Sequence, residues 1–194
     1  MDLTHLSYLH AASFGTADYA KAPYEATIET DHFVLHRHVE PTTLPPVWAE
    51  PTGIKGNTAA RIVDSEFVSP ALHVVTARFL DTQLATAERR EFMIKTAHIP
   101  TPETLTSTHY FIVHGRNFAL QDESITRFMH EQLFQAFAED VDGLAAIEGV
   151  LAETGDEIFE ISVASDRASV AMRRHLKHRA EGTLNRGLEP VRTE

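Results

Sequence analysis

The chain has 194 residues, 43% of them hydrophobic and 23% charged, the composition of a globular protein long enough to bury a substantial core. A net charge of −11 opposes phosphate backbones and leaves nucleic acid outside the expected partners. With no cysteine, the chain cannot itself hold a disulfide, a thiolate nucleophile or an iron–sulfur cluster, whereas its 12 histidines leave imidazole and carboxylate as metal ligands.

Residues 2–14 are expected to form a short helix carrying Asp2, His5 and His10 and ending near Gly15. Strands follow at 24–30 and 33–39, broken at Asp31 and His32, the second with the apolar–polar alternation of a half-buried strand. His32, His36 and His38 share one face of it and Phe33, Leu35 and Val39 the other, so these histidines read as the solvated side. Residues 41–58 hold Pro41, Pro45, Pro46, Pro51, Gly53 and Gly56, too much proline for a helix or central strand. They read as a long loop, of the kind that serves as a lid or binding loop.

Further strands are expected at 61–67, 73–80, 90–99 and 105–116, with Pro100 and Pro102 marking the turn between the last two. Residues 123–152 read as helix with a break near Gly143, and 157–163 as a short strand or helix. Ser165 and Asp166 are N-cap types before a last helix to about residue 180, and 183–194 read as a frayed tail. That helix carries Arg173, Arg174, Lys177 and Arg179, best read as a solvated face. Helix, antiparallel strands, then helices, without βαβ alternation, imply one α+β domain over 1–194, a curved sheet packed on C-terminal helices. No apolar run reaches the roughly 18 residues of a membrane span and no signal sequence is evident, so a cytoplasmic location is expected.

Two stretches could carry chemistry. His5 and His10 lie five residues apart, about 140° around an ideal helix, so they reach one metal only where the helix ends or is distorted. The other reading makes them polar or capping groups. In the long helix, Met129, Leu133, Ala136, Leu144 and Ile147 fall within roughly 40° of Asp140, which places that carboxylate on the core-facing stripe. Glu139 lies a quarter turn away and Asp142 points nearly opposite. A core-facing carboxylate must bind metal, pair with a buried arginine, or sit beside a helix break that admits water. His5, His10 and Asp140 together make the two-histidine, one-carboxylate set of non-haem Fe(II) oxygenases, which leaves other iron positions open for dioxygen and substrate.

Asp2-Leu-Thr-His5-x4-His10, followed by Ser13-Phe14-Gly15, resembles the iron motif of Rieske oxygenase large subunits. The segment from Thr108 to Phe118, the run Ala136-Phe137-Ala138-Glu139-Asp140 and the helix from Ser165 to Arg174 resemble, in order and spacing, the vanillate O-demethylase group of that family. The resemblance covers nearly the whole chain and implies a helix-grip, START-like fold. It implies that His5, His10 and Asp140 hold Fe(II) and that Asp2 bridges the iron to a Rieske [2Fe–2S] cluster on another domain or chain. A reductase or ferredoxin as electron donor, O2 and an aromatic substrate as reactants, and a homotrimer as assembly are also implied. The expected reaction is hydroxylation or O-demethylation of a vanillate-like compound. Hydroxylation of an O-methyl carbon gives a hemiacetal that collapses to a phenol and formaldehyde.

Two departures bear on the substrate. The family's Glu-Ala-Gln after the metal carboxylate is replaced by Leu144-Ala-Ala-Ile147-Glu148, and its Asp-Arg-Trp appears as Asp64-Ser65-Glu66. The Rieske domain is absent and Met1 stands where the family sequence is internal, which suggests a truncated reading frame. The alternatives are a non-catalytic START-like module that binds a hydrophobic ligand, or a truncated, non-functional fragment.

Overall fold

The alternating stretches pair in chain order. In the computed structural model, which describes residues 4–154 and 161–187, they form one antiparallel sheet ordered β1 to β6. Its strands are β1 (Tyr24–Ile28), β2 (Phe33–Thr42), β3 (Ala59–Ser69), β4 (Leu72–Asp81), β5 (Phe92–Pro102) and β6 (Thr108–Arg116). Helix α1 (Pro46–Thr52) lies between β2 and β3, and α2 (Glu123–Thr154) and α3 (Arg167–Gly187) follow the sheet. The α+β architecture with C-terminal helices is the one the sequence implies.

Strand register decides what faces the helices. One cross-strand row aligns Leu35, Ser65, Val75, Thr96 and His114, and the next aligns Phe33, Phe67, His73, His98 and Ile112. These rows lie on the inner face with the buried core residues Val63, Ala77, Phe79 and Ile94. Met129, Leu133 and Ala136 of α2 complete that core. Helix α3 packs on β1 and β2, with His175 set 5.4 Å from Phe33.

Several expectations need correction. Residues 41–58 hold helix α1, because Pro46 occupies the first turn, where its missing N–H has no helical partner to lose. Val47 and Trp48 are buried and pin α1 to the core, and Gly53, at φ 75°, closes it by donating its N–H to Ala49 O at 2.9 Å. Pro100 and Pro102 belong to β5 itself, opposite Tyr110 and Thr108, and the turn follows them. They are tolerated there because pairing with β4 ends at His98, which leaves that stretch of β5 with one neighbour only.

The long helix runs unbroken through Gly143, where a Cβ would come into van der Waals contact with Leu9 Cδ2 at 3.4 Å. At the N-terminus a 3₁₀ turn, Thr4–Ser7, and further turns to Phe14 replace the regular helix, and Asp2 lies outside the described residues. Of the segment 157–163, residues 157–160 lie outside the described residues and Ile161–Val163 are not strand. The last helix begins at Arg167, directly after a 3₁₀ turn at Ala164–Asp166 in which Asp166 Oδ2 accepts from Val163 N at 2.8 Å as the third residue of the turn, and it continues past residue 180 to Gly187. The expected tail is thus helical through 187, and 188–194 lie outside the described residues.

Candidate metal centre

The N-terminal turns do what an ideal helix cannot. His5 O accepts from Tyr8 N and Leu9 N at 2.9 and 2.8 Å, and His10 O accepts from Ser13 N and Gly15 N at 3.0 and 2.8 Å. Two reverse turns in succession fold the segment onto itself and bring the rings of His5 and His10 to 5.2 Å between centroids. Gly15 is required by this close approach, since a Cβ there would stand 1.6 Å from Leu6 O.

Asp140 comes to this turn from α2, just past the last buried residue of its apolar stripe, Ala136. Its Oδ1 lies 3.1 Å from His10 Nε2 and 3.7 Å from His5 Nε2, and the ligand atoms of the three residues all lie within 4.8 Å of one another. Bonds of about 2.1 Å at right angles separate neighbouring ligand atoms by about 3 Å, a spacing the His10–Asp140 pair matches at 3.1 Å and the His5–Asp140 pair exceeds at 3.7 Å, and the donor types are those of a metal site. His10 is fully buried and stacks on Phe14 at 4.6 Å, while the His5 side chain is 39% exposed.

Glu139, which helix geometry sets apart from Asp140, completes the arrangement. Its Oε2 accepts from His10 Nδ1 at 2.8 Å and from Ser13 Oγ at 2.7 Å. The angular offset along the helix lets adjacent carboxylates meet the two nitrogens of one imidazole. Burial pulls the His10 pKa down, but hydrogen bonds to Asp140 and Glu139 outweigh it and leave the pKa raised.

Beyond the cluster the inner face carries polar side chains that sequence reasoning missed. Ser65 Oγ and His73 Nε2 are 2.7 Å apart, Thr96 Oγ1 and His114 Nδ1 2.9 Å apart, and His98 Nδ1 pairs with the Tyr110 hydroxyl. Burial lowers His73 to about 3 and His98 and His114 to about 4, and raises Tyr110 to about 12. This wall is therefore uncharged at neutral pH. Aromatic rings join it to the cluster: Phe137 lies 5.6 Å from His98 and 6.3 Å from Phe14, and Trp48 lies 6.1 Å from Phe14 and 6.2 Å from His114. The signal was the spacing by two of Thr96 and His98 in one strand and of Ile112 and His114 in the next, which only register turns into a shared face.

The histidines at and before β2 and the basic cluster of α3 lie at the surface. His36 and His38 pair with Asp64 and Glu40, and His32 with Glu66 at 3.2 Å and Glu29 at 3.9 Å, all three with side chains 40–47% exposed. Arg173, Arg174, Lys177 and Arg179 are exposed on α3, and no helix is long and apolar enough to cross a membrane among the described residues.

Residues 1–182 match the family described as the vanillate O-demethylase oxygenase C-terminal domain. A vanillate O-demethylase oxygenase subunit from a Pseudomonas species is 31% identical over 157 residues, which cover 74% of this chain and 46% of that protein. The iron-sulfur subunit of a toluene-4-sulfonate monooxygenase system from Comamonas testosteroni is 35% identical over 92 residues, or 47% and 26% of the two chains. Among solved structures, dicamba monooxygenase bound to 3,6-dichlorosalicylic acid has a TM-score of 0.82 at 21% identity, covering 91% of this chain and 52% of that one. The dicamba-bound form has a TM-score of 0.78 at 20% identity, over 94% and 53%. The structural likeness establishes a shared fold, and the chain spans at most about half the length of these proteins.

Proposed function

This chain belongs to the family of vanillate O-demethylase oxygenase C-terminal domains, and from that membership we propose that it is the mononuclear-iron catalytic portion of a Rieske-type aromatic oxygenase. The observation that carries the reading is the convergence of His5, His10 and Asp140, from the two ends of the fold, to within 4.8 Å. In this reading their imidazoles and carboxylate hold Fe(II). Bound iron supplies the redox chemistry by which oxygen from O2 reaches the substrate. One of the structural neighbours is itself described with non-heme iron and dicamba, at a TM-score of 0.55.

The surrounding residues prepare the site. Glu139 accepts the Nδ1 proton of His10, which leaves Nε2 as the ligand atom, and the Ser13 hydroxyl holds Glu139 in place. Phe137 and Trp48 offer apolar surface for an aromatic ring, and His98, Tyr110 and His73 offer neutral hydrogen-bonding groups that orient its substituents. The proposed substrate is a vanillate-like aryl methyl ether, whose hydroxylated methyl group would leave as formaldehyde. The chain has no cysteine, so electrons come from a Rieske cluster on another domain or chain, fed by a reductase or ferredoxin. Asp2 is the proposed bridge for those electrons, and a homotrimer the proposed assembly.

Iron-loaded protein given an aryl methyl ether, NADH and a reductase, but no Rieske protein, is expected to release no formaldehyde. Release under those conditions would contradict the electron route. Release only after a Rieske protein is added would support it.

A further inference from the structure

Arg37 of β2 and Arg61 of β3 are 2% and 3% exposed on the inner face of the sheet, among apolar neighbours. A guanidinium taken out of water is costly unless its donors are satisfied, and an apolar side chain of similar volume would serve a core as well. The Nη groups of both find acceptors in the N-terminal segment, while the Nε of each is buried with no hydrogen-bond partner. Arg37 Nη1 donates to Tyr19 O at 2.6 Å and Nη2 to Thr4 Oγ1 at 3.2 Å, while Arg61 Nη1 reaches Phe14 O at 3.5 Å. Both guanidiniums lie over the Tyr19 ring, at 4.9 and 4.6 Å from its centroid. Asp18 supplies a charge facing Arg61, and Thr42 donates to it at 2.6 Å.

The residues they hold are telling. Thr4 is bonded to His5, and Phe14 stacks on His10. The segment between is a 3₁₀ turn and irregular turns whose backbone hydrogen bonds, donated by Tyr8, Leu9, Ala11, Ser13 and Gly15, close within the segment and do not by themselves set its place on the sheet. We propose that Arg37 and Arg61 are positioning residues that lock the turn carrying His5 and His10 against the sheet, so that both rings meet Asp140. The inference rests on the metal-centre reading above.

The test compares wild type, Arg37→Met, Arg37→Lys, Thr4→Val and Thr4→Ser. Metal-free protein is titrated with Co(II), whose absorption reports ligand geometry, and each variant is melted without metal. Arg37→Met should melt cooperatively within a few degrees of wild type yet bind Co(II) about tenfold or more weakly, with altered absorption bands. Arg37→Lys should recover part of the affinity, since one ammonium cannot reproduce the planar fork. Thr4→Val should weaken binding by a smaller factor that Thr4→Ser restores. Wild-type affinity and spectrum in both Arg37→Met and Thr4→Val would overturn the inference and leave the metal centre standing. If Arg37→Met fails to fold, the Thr4 pair decides alone. A wild type that binds no Co(II) would remove the metal centre and this inference together.

Discussion

Two sets of histidines meet carboxylates in this molecule, and only one makes a candidate centre. On the outer face of β2 and just before it, His36, His38 and His32 meet carboxylates at the surface, half in solvent. At the other site His5 and His10 share one carboxylate oxygen, His10 is shut away from water, and a second carboxylate holds its far nitrogen. Pairing with an acid is what surface histidines do anyway. Convergence of several donors around one point, at the expense of burial, sets the second site apart.

The sharpest way to break the contrast is to remove one ring from each set. His10→Ala should weaken Fe(II) binding at least a hundredfold in competition with a chelator, while His36→Ala should leave it unchanged. Equal losses would put the metal elsewhere. Gly15→Ala comes next, because the added carbon collides with Leu6 O and the turn that aligns the rings must open. We expect about 3 kcal/mol or more of lost stability in urea melts, together with lost metal binding. Glu139→Gln should cost about tenfold to a hundredfold in metal affinity with little change in stability.

A smaller effect separates the wall histidines from His10. His73, His98 and His114 are lowered by burial to about 3, about 4 and about 4, so between there and an unfolded value of about 6.5 the unfolded chain binds more protons. Stability should therefore fall as pH drops from about 6.5 towards 4, by up to about 1.4 kcal/mol per pH unit for each histidine. His10, whose pKa is raised in the metal-free fold, works in the opposite sense: its contribution is full below its unfolded value and is lost as pH rises through the folded one. Urea melts from pH 7 to pH 4.5 on wild type and a His73→Phe, His114→Phe variant check this. A slope unchanged by the double substitution would remove His73 and His114 as its source.

The sheet was legible because alternation in β2 and β3 leaves little choice of face. The candidate cluster was legible chiefly through the family resemblance, because the five-residue spacing of His5 and His10 also suits capping groups and the stripe around Asp140 also suits a salt bridge or a helix break. Three features were not. Helix α1 was hidden because proline content outweighed the apolar Val47 and Trp48, although proline is harmless in a first turn. Leu144 and Ile147 continue the stripe of Met129 and Leu133, yet are 62% and 56% exposed, since periodicity marks an apolar face but not what covers it. The polar wall needed strand register, because Thr96 and His114 are 18 residues apart in sequence and adjacent only across the ladder.

The account stands on three side chains holding one iron. Protein reconstituted anaerobically with Fe(II) should contain about one iron per chain. That content should collapse in His5→Ala, His10→Ala and Asp140→Ala alike. Iron far below one per chain in the wild type, or iron unchanged by Asp140→Ala, would contradict it.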